Sequence, residues 1–368
     1  MAITAELWQA NLIALLSAFV AIRVLRPIAV YFGLVDVPDA RKQHQGHIPL
    51  IGGLSIYIGV LVAILAVFPI HDKLFYLLAS ASLVLMAGLV DDLRNLGVWV
   101  RVLIQTLACV IMIKGAGVYV TDLGDLFGLG SIYLGPWGIP LTILAVIGLV
   151  NAFNMSDGID GLAGSLALIA IVGVFGFEWI GGDFRLMSIL LIMGVALIPY
   201  LLTNLTIISD KKIFLGDAGS MFIGFVLAFS LIELSQGQGD NASVIQPMSV
   251  IWCVAFPVID TLTVIVKRLM SGRSPFSPDR GHFHHLLMDK GMAPQQALLL
   301  IIFASLGLAV LGWLLQLFAP QLSAVTFVAI TLTYMHWVRR SGWDHGKVKA
   351  KAKAKAKAKA KAKAKAKA

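Results

Sequence analysis

About eleven apolar runs succeed one another between residues 5 and 338, each near the ~20 residues an α-helix needs to cross a hydrocarbon core. They lie near 5–25, 51–70, 74–90, 99–117, 137–153, 162–180, 185–203, 219–235, 244–266, 297–318 and 322–338. Within lipid every backbone polar group must be satisfied internally, and runs of this length achieve that as helices. The spacing predicts an all-α polytopic membrane protein of about eleven transmembrane helices, with residues 1–340 as one integral membrane domain. Composition agrees. Hydrophobic residues make up 58% of the chain and charged residues 13%, against about 25% charged in ordinary soluble domains.

The formal net charge of +9 is set by the end of the chain. After Gly346, Lys and Ala alternate, and 11 of the 29 basic residues fall there; the rest are outnumbered by the 20 acidic residues. The basic balance therefore argues for no nucleic-acid partner. Residues 341–368 read as a Lys-Ala low-complexity tail whose alternation spreads charge around any helix. Such a segment cannot bury a face, and is expected to be disordered or loosely helical and to attach weakly to an anionic bilayer. Cys109 and Cys253 both lie inside apolar runs without a CxxC neighbour, so neither a disulfide nor a zinc framework follows.

No basic stretch precedes the first run, and Arg23 and Arg26 follow it, which predicts an uncleaved anchor with a periplasmic N-terminus. Alternate threading from that start places 15 Lys and Arg on the cytoplasmic side, together with the tail, and leaves only Lys73, Lys114 and Arg185 outside. The positive-inside rule is satisfied. The same threading puts five polar segments inside: Asp36 to Gly53, Asp91 with Asp92, Asn151 to Gly161, Asn204 to Ser220, and Lys267 to Pro294. The outer connections, such as 181–184, 319–321 and the Gly-rich 121–136, are short or bland. A single cytoplasmic site closed in by helix ends is expected, with no soluble catalytic domain.

The stretch NAFNMSDGIDGLAG (Asn151 to Gly164) carries two Asn, two Asp and three Gly where a membrane helix meets water, a placement that is costly unless it is used. Asp91 and Asp92 end another apolar run, and neighbouring carboxylates repel unless a cation or a shared proton relieves them; the alternative is a simple acidic interface pair. In KKIFLGDAGS, Asp217 sits among glycines just before the next span, in a loop whose backbone can approach a ligand. Hard oxygen donors of this kind suit Mg²⁺ or Mn²⁺, held by one or two carboxylates plus substrate phosphates. RGHFHHL carries His282, His284 and His285 beside Arg280, and their spacing is not that of a helical two-His zinc site. They are better suited to donating hydrogen bonds to phosphate oxygens than to holding zinc, unless the loop is merely solvated.

Taken together, the Asp91-Asp92 pair, NAFNMSDGIDGLAG, FLGDAGS, SPFSPDRGHFHH and RKQHQGHIPLIGG resemble the motifs of the polyprenyl-phosphate N-acetylhexosamine-1-phosphate transferase superfamily (glycosyltransferase 4). The resemblance spans roughly residues 5 to 340, with five motifs in order. The peptidoglycan branch usually shows ten spans, three consecutive His and a differently worded first loop. His-Phe-His-His, the eleven runs and the outside N-terminus resemble instead the branch of bacterial undecaprenyl-phosphate GlcNAc-1-phosphate transferases.

The resemblance implies transfer of GlcNAc-1-phosphate from UDP-GlcNAc to undecaprenyl phosphate at the cytoplasmic face of the cell inner membrane. The products are undecaprenyl-diphospho-GlcNAc and UMP, an initiating step of O-antigen or enterobacterial common antigen-type polysaccharide synthesis. It further implies catalytic roles for Asp91, Asp92, Asp157 and Asp160, and a Mg²⁺ site (Mn²⁺ as a substitute) at Asp217 and Asn154 with Asp91 and Asp92. Substrate binding is implied for Arg280, His282, His284, His285, Lys42 and His44. Another UDP-HexNAc donor and an oligomer both stay open. A transporter would more often place its polar residues at mid-membrane between repeated halves. An intramembrane aspartyl protease would need a further glycine where Phe214 stands.

Overall fold

A computed structural model describes residues 5–37, 46–181, 186–236, 245–275 and 281–342. Lys42, His44, Arg280 and the tail after Gly342 lie outside these residues. The chain is a bundle of helices: α1 (Ala5–Phe32), α2 (Gly52–Val67), α3 (Asp72–Arg94), α4 (Val98–Ile111), α5 (Gly138–Ser156), α6 (Leu162–Gly181), α7 (Met187–Asn204) and α8 (Gly216–Ser235). A short α9 (Pro247–Val250) leads through a 3₁₀ turn into α10 (Ala255–Met270), followed by α11 (Phe283–Asp289), α12 (Pro294–Phe318) and α13 (Ser323–Gly342). One antiparallel ribbon, β1 (Val35–Asp36) with β2 (Ile48–Pro49), lies between α1 and α2.

Among the described residues nine helical segments are long and apolar enough to cross a membrane. Two of the eleven apolar runs fall short of that measure: α2 is apolar but has only 16 residues, and α13 interleaves Thr, Tyr, His and Arg with its apolar positions. This is an all-α, multi-pass membrane protein. The first helix runs well past the expected end near residue 25 because Arg26 is satisfied there: its guanidinium donates to the Lys211 carbonyl at 2.6 Å. At 28 residues α1 spans about 42 Å, so its basic end lies beyond a ~30 Å hydrocarbon core.

The centre of the bundle is α8, apolar on every side and buried along its whole span, as expected of a helix with no face for lipid or water. Hydrophobic burial gives little drive between helices in lipid, so close approach rests on small residues. A Cβ on Gly53 would stand 2.1 Å from the Gly219 Cα, and one on Gly88 would stand 2.3 Å from the Ala218 Cα. The backbones of α2 and α3 therefore touch the first turn of α8 directly. A Cβ on Gly224 would likewise meet the Val150 Cα of α5 at 2.8 Å.

The outer connection 121–136 is more built than its composition suggests. Gln236, just past α8, accepts from the Thr121 N–H, the Thr121 hydroxyl and the Asp122 N–H, and Asp122 bridges to Tyr133. On the same side Lys73 pairs with Glu233 at 2.7 Å. Polar side chains there hold helix ends together.

Candidate active site

The opposite end of the bundle gathers the C-terminal ends of α3, α5 and α7, the N-terminal ends of α2 and α8, and the segment between α7 and α8. Two strand-like backbone bonds, Gly52 N–H to the Phe214 carbonyl and Gly53 N–H to the Leu215 carbonyl, both 2.9 Å, pin α2 beside the start of α8. Gly216 opens α8 with φ +76, and a Cβ there would lie 2.6 Å from Asp92 Oδ2. Only glycine gives both that conformation and that space. Asp217 is accordingly on the first turn of a helix, and the span starts at 216. The expectation of a loop with the span beginning at 219 is corrected by an outside cap: Asp92 Oδ1 accepts from the Asp217 N–H at 2.8 Å and Oδ2 from the Ala218 N–H at 3.1 Å. Two of the donors that every helix start leaves without an internal partner are thereby satisfied, and the carboxylate faces the positive end of the helix.

Asp91 turns the other way. Its Oδ1 accepts from the Leu96 N–H at 2.6 Å, closing the end of α3, and its Oδ2 from Arg101 of α4 at 2.8 Å. The repulsion between the adjacent carboxylates is thus relieved by a guanidinium on one and a helix N-terminus on the other, a division that the sequence did not disclose. Arg101 also stands 4.0 Å from Asp217 Oδ2, so one guanidinium faces the carboxylates of both Asp91 and Asp217. Asn154, on the last turn of α5, donates to Asp217 Oδ1 at 2.8 Å and approaches the Ser220 hydroxyl at 3.1 Å. The Asp217 side chain nevertheless keeps 40% of its surface exposed.

Asp157 caps the end of α5 outside the membrane span. Burial, then the carboxylates of Asp217 and Asp160, push its carboxyl up to about 7. Asp160 is more exposed and pairs with Lys212. Asn204, at the end of α7, ties the two segments together: Oδ1 accepts from the Gly161 N–H at 2.7 Å and Nδ2 donates to the Ile213 carbonyl at 2.8 Å. A cleft of about 110 Å³ beside these residues is lined by Asp160, Asn204, Thr206, Lys212, Gln295 and other side chains.

The histidines do not lie in a loop: Phe283 to Asp289 is a short helix, with His282 at its N-cap. His282 and His284 are buried, their rings stacked at 5.9 Å and 8°. The His284 ring presses on the loop between Asp157 and Asp160, since a Cβ on Gly158 would meet its Nε2 at 2.1 Å. His285 contacts His284, with ring centroids 4.2 Å apart. The fold therefore brings Asp91, Asp92, Asn154, Asp157, Asp160, Asp217 and the His284 ring to one end of the bundle.

Three partners carried no role in the sequence reading: Arg101, Lys212 and Asp260. The first two were visible only as inside positive charges. Asp260 had a signal, an acidic residue within an apolar run, where ionisable groups are rare.

No group of three or more His, Cys, Asp or Glu among the described residues is arranged to cage a metal ion. Mg²⁺ does not require such a cage, since it keeps several waters and is usually held by one or two carboxylates and the phosphates of its substrate. Asp217, accessible and flanked by the Asn154 amide and the Asp91 and Asp92 carboxylates, is the donor the geometry leaves open to such an ion.

The family model for glycosyl transferase family 4 matches residues 74–235. A relative from Yersinia pestis named undecaprenyl-phosphate alpha-N-acetylglucosaminyl 1-phosphate transferase is 36% identical over 325 residues, covering 86% of this chain and 87% of that protein. Relatives of the same name from Escherichia coli K12 (35% identical over 322 residues, 86% of each chain) and Haemophilus influenzae (36% over 303 residues, 82% of this chain and 84% of that one) are also similar.

Proposed function

The chain belongs to glycosyl transferase family 4, and from that premise we propose that it transfers N-acetylglucosamine 1-phosphate from UDP-GlcNAc to undecaprenyl phosphate, releasing UMP. The observation that carries the reading is the convergence of Asp91, Asp92, Asn154, Asp157, Asp160 and Asp217 around the first turn of a buried central helix, at one end of a multi-pass bundle. A lipid phosphate and a water-soluble donor can meet only there, where membrane helices end. The excess of Lys and Arg on that side supports the cytoplasmic face of the inner membrane as its location.

In the reaction a lipid phosphate oxygen attacks the β-phosphorus of the sugar nucleotide, and the bond from that phosphorus to the bridging oxygen breaks, leaving UMP with the electron pair. A phosphate monoester loses its second proton near pH 6, so at neutral pH the nucleophile is already largely ionised and a strong base is not required. Positioning and neutralisation supply the rate. Mg²⁺ or Mn²⁺ bound at Asp217 and Asn154 would neutralise charge on the diphosphate. Asp92 holds the first turn of α8 in place and Asp91 holds Arg101, so the Asp217 carboxylate is presented from a fixed backbone. Asp157 and Asp160 border the space for the nucleotide, and His282, His284 and His285, with Arg280, Lys42 and His44, supply donors to the diphosphate.

The test is direct. Purified protein given undecaprenyl phosphate and a panel of UDP-sugars should release UMP with UDP-GlcNAc and form a lipid of the mass of undecaprenyl-diphospho-GlcNAc. A preference for another UDP-HexNAc would keep the reaction and change the donor, whereas no UMP from any donor would overturn the proposal.

A further inference from the structure

Asp260 lies in the middle of α10, is 4% exposed, and accepts three hydrogen bonds from two other parts of the chain. Oδ2 is 2.8 Å from His282 Nδ1, and Oδ1 accepts from the Phe283 N–H at 3.0 Å and from the Tyr334 hydroxyl of α13 at 2.6 Å. A carboxylate only accepts, so the hydrogen shared with His282 belongs to Nδ1 and the ring presents Nε2 as its remaining polar atom. A buried charge is tolerated only when it is paired, and here the pairing fixes both the ring of His282 and the first N–H of α11. The same ring stacks on His284, whose Nε2 rests on Gly158 between Asp157 and Ile159. A line of contacts thus runs from α13 through Asp260 to the histidines and the Asp157 loop.

We propose that Asp260, backed by Tyr334, is a positioning residue of the transferase site: it holds His282 with its hydrogen on Nδ1 and fixes the ring, so that Nε2 is the nitrogen delivered toward the diphosphate of the sugar nucleotide. Carboxylate–imidazole pairs act in this way elsewhere, fixing the tautomer through the far nitrogen. Tyr334 contributes by holding the carboxylate to a single orientation. The inference rests on the transferase reading for what Nε2 meets, but the Asp260–His282 relation stands without it.

The experiment uses the full chain with Asp260→Asn, Tyr334→Phe, His282→Gln and the two double variants with His282→Gln. In Asp260→Asn the amide donates to Nδ1, which moves the ring hydrogen to Nε2. The expected result is a fall in kcat/KM for UDP-GlcNAc of about tenfold or more, with the KM for undecaprenyl phosphate unchanged, and a smaller fall of the same kind in Tyr334→Phe. Each double variant should be no worse than His282→Gln, because a residue that acts through His282 has nothing left to act on. Additive losses, equal rises in both KM values, or wild-type kinetics in Asp260→Asn would each overturn the proposal. Should Asp260→Asn fail to fold, Tyr334→Phe is judged by the same measurements. The ring nitrogen signals of His282 in ¹⁵N-histidine-labelled protein require no substrate. Nδ1 must be protonated in wild type, and Asp260→Asn must move the hydrogen to Nε2; an unchanged tautomer sinks the proposal even if the enzyme is active. If the wild type releases no UMP while the tautomer shift is seen, the transferase reading has failed and the Asp260–His282 relation has not.

Discussion

Asp217 and Asp157 are neighbours at the site but answer to different physics. Asp217 keeps an accessible carboxylate, one oxygen of which Asn154 holds, so Asp217→Asn preserves size while removing the charge a hard cation would need. The expected outcome is loss of Mg²⁺-dependent UMP release, by a factor of about 100 or more, with an unfolding temperature close to wild type. Near-normal turnover at ordinary Mg²⁺ would count against the role. At Asp157 burial and two nearby carboxylates raise the carboxyl from its ordinary 3.8 to about 7. The folded chain therefore keeps a proton that the unfolded chain releases near pH 4, and this residue's contribution to stability falls as pH rises from about 4 to about 7. In the presence of a chelator, Asp157→Asn should unfold a few degrees above wild type at pH 8 and together with it near pH 4. Parallel unfolding temperatures across that range would show that the carboxyl is not raised.

At the scale of elements, the site depends on how closely α3 and α2 approach the start of α8. The contact at Gly88 is to the backbone of Ala218, which cannot rotate aside, so a methyl group there must separate the helices. Gly88→Ala should cost roughly 1–3 kcal/mol as overpacking and should lower activity as well, because the separation pulls Asp92 from the two N–H groups it caps. Gly148→Ala is the control, since nothing lies within 4 Å of its added methyl; it should leave activity intact and hold or raise the unfolding temperature. If both variants behave alike in thermal unfolding and UMP release, the close approach does not govern the site. The short α11 depends on tertiary partners in the same way. Seven residues form a marginal helix alone, and Asp260 supports its first N–H from another helix.

For the whole molecule, charge and membrane placement give a separate prediction about the tail, which lies outside the described residues. Its Lys-Ala alternation offers no apolar face and no acidic partner, so truncation after His345 should leave turnover unchanged at both low and high salt. A salt-dependent rise in KM for the lipid or the nucleotide on truncation would instead show that the tail gathers anionic substrates. The general architecture was legible without coordinates, because hydrophobic length and polar interruption are local properties: the apolar runs between Ala5 and Val338 form helices, and the polar segments carrying Asp91, Asn154, Asp160 and Asp217 converge at one end. Tertiary structure alone decided the partners. A repulsive Asp91-Asp92 pair can be relieved by any positive group, and nothing within a few residues selects Arg101 for one and the start of α8, 125 positions along the chain, for the other. The same holds for Asp260, which as a sequence feature was one acid in an apolar run and became the support of His282 only because α10, α11 and α13 pack together. Side chains on separate helices meet where the small faces allow the backbones to close, and that choice belongs to the packed bundle as a whole.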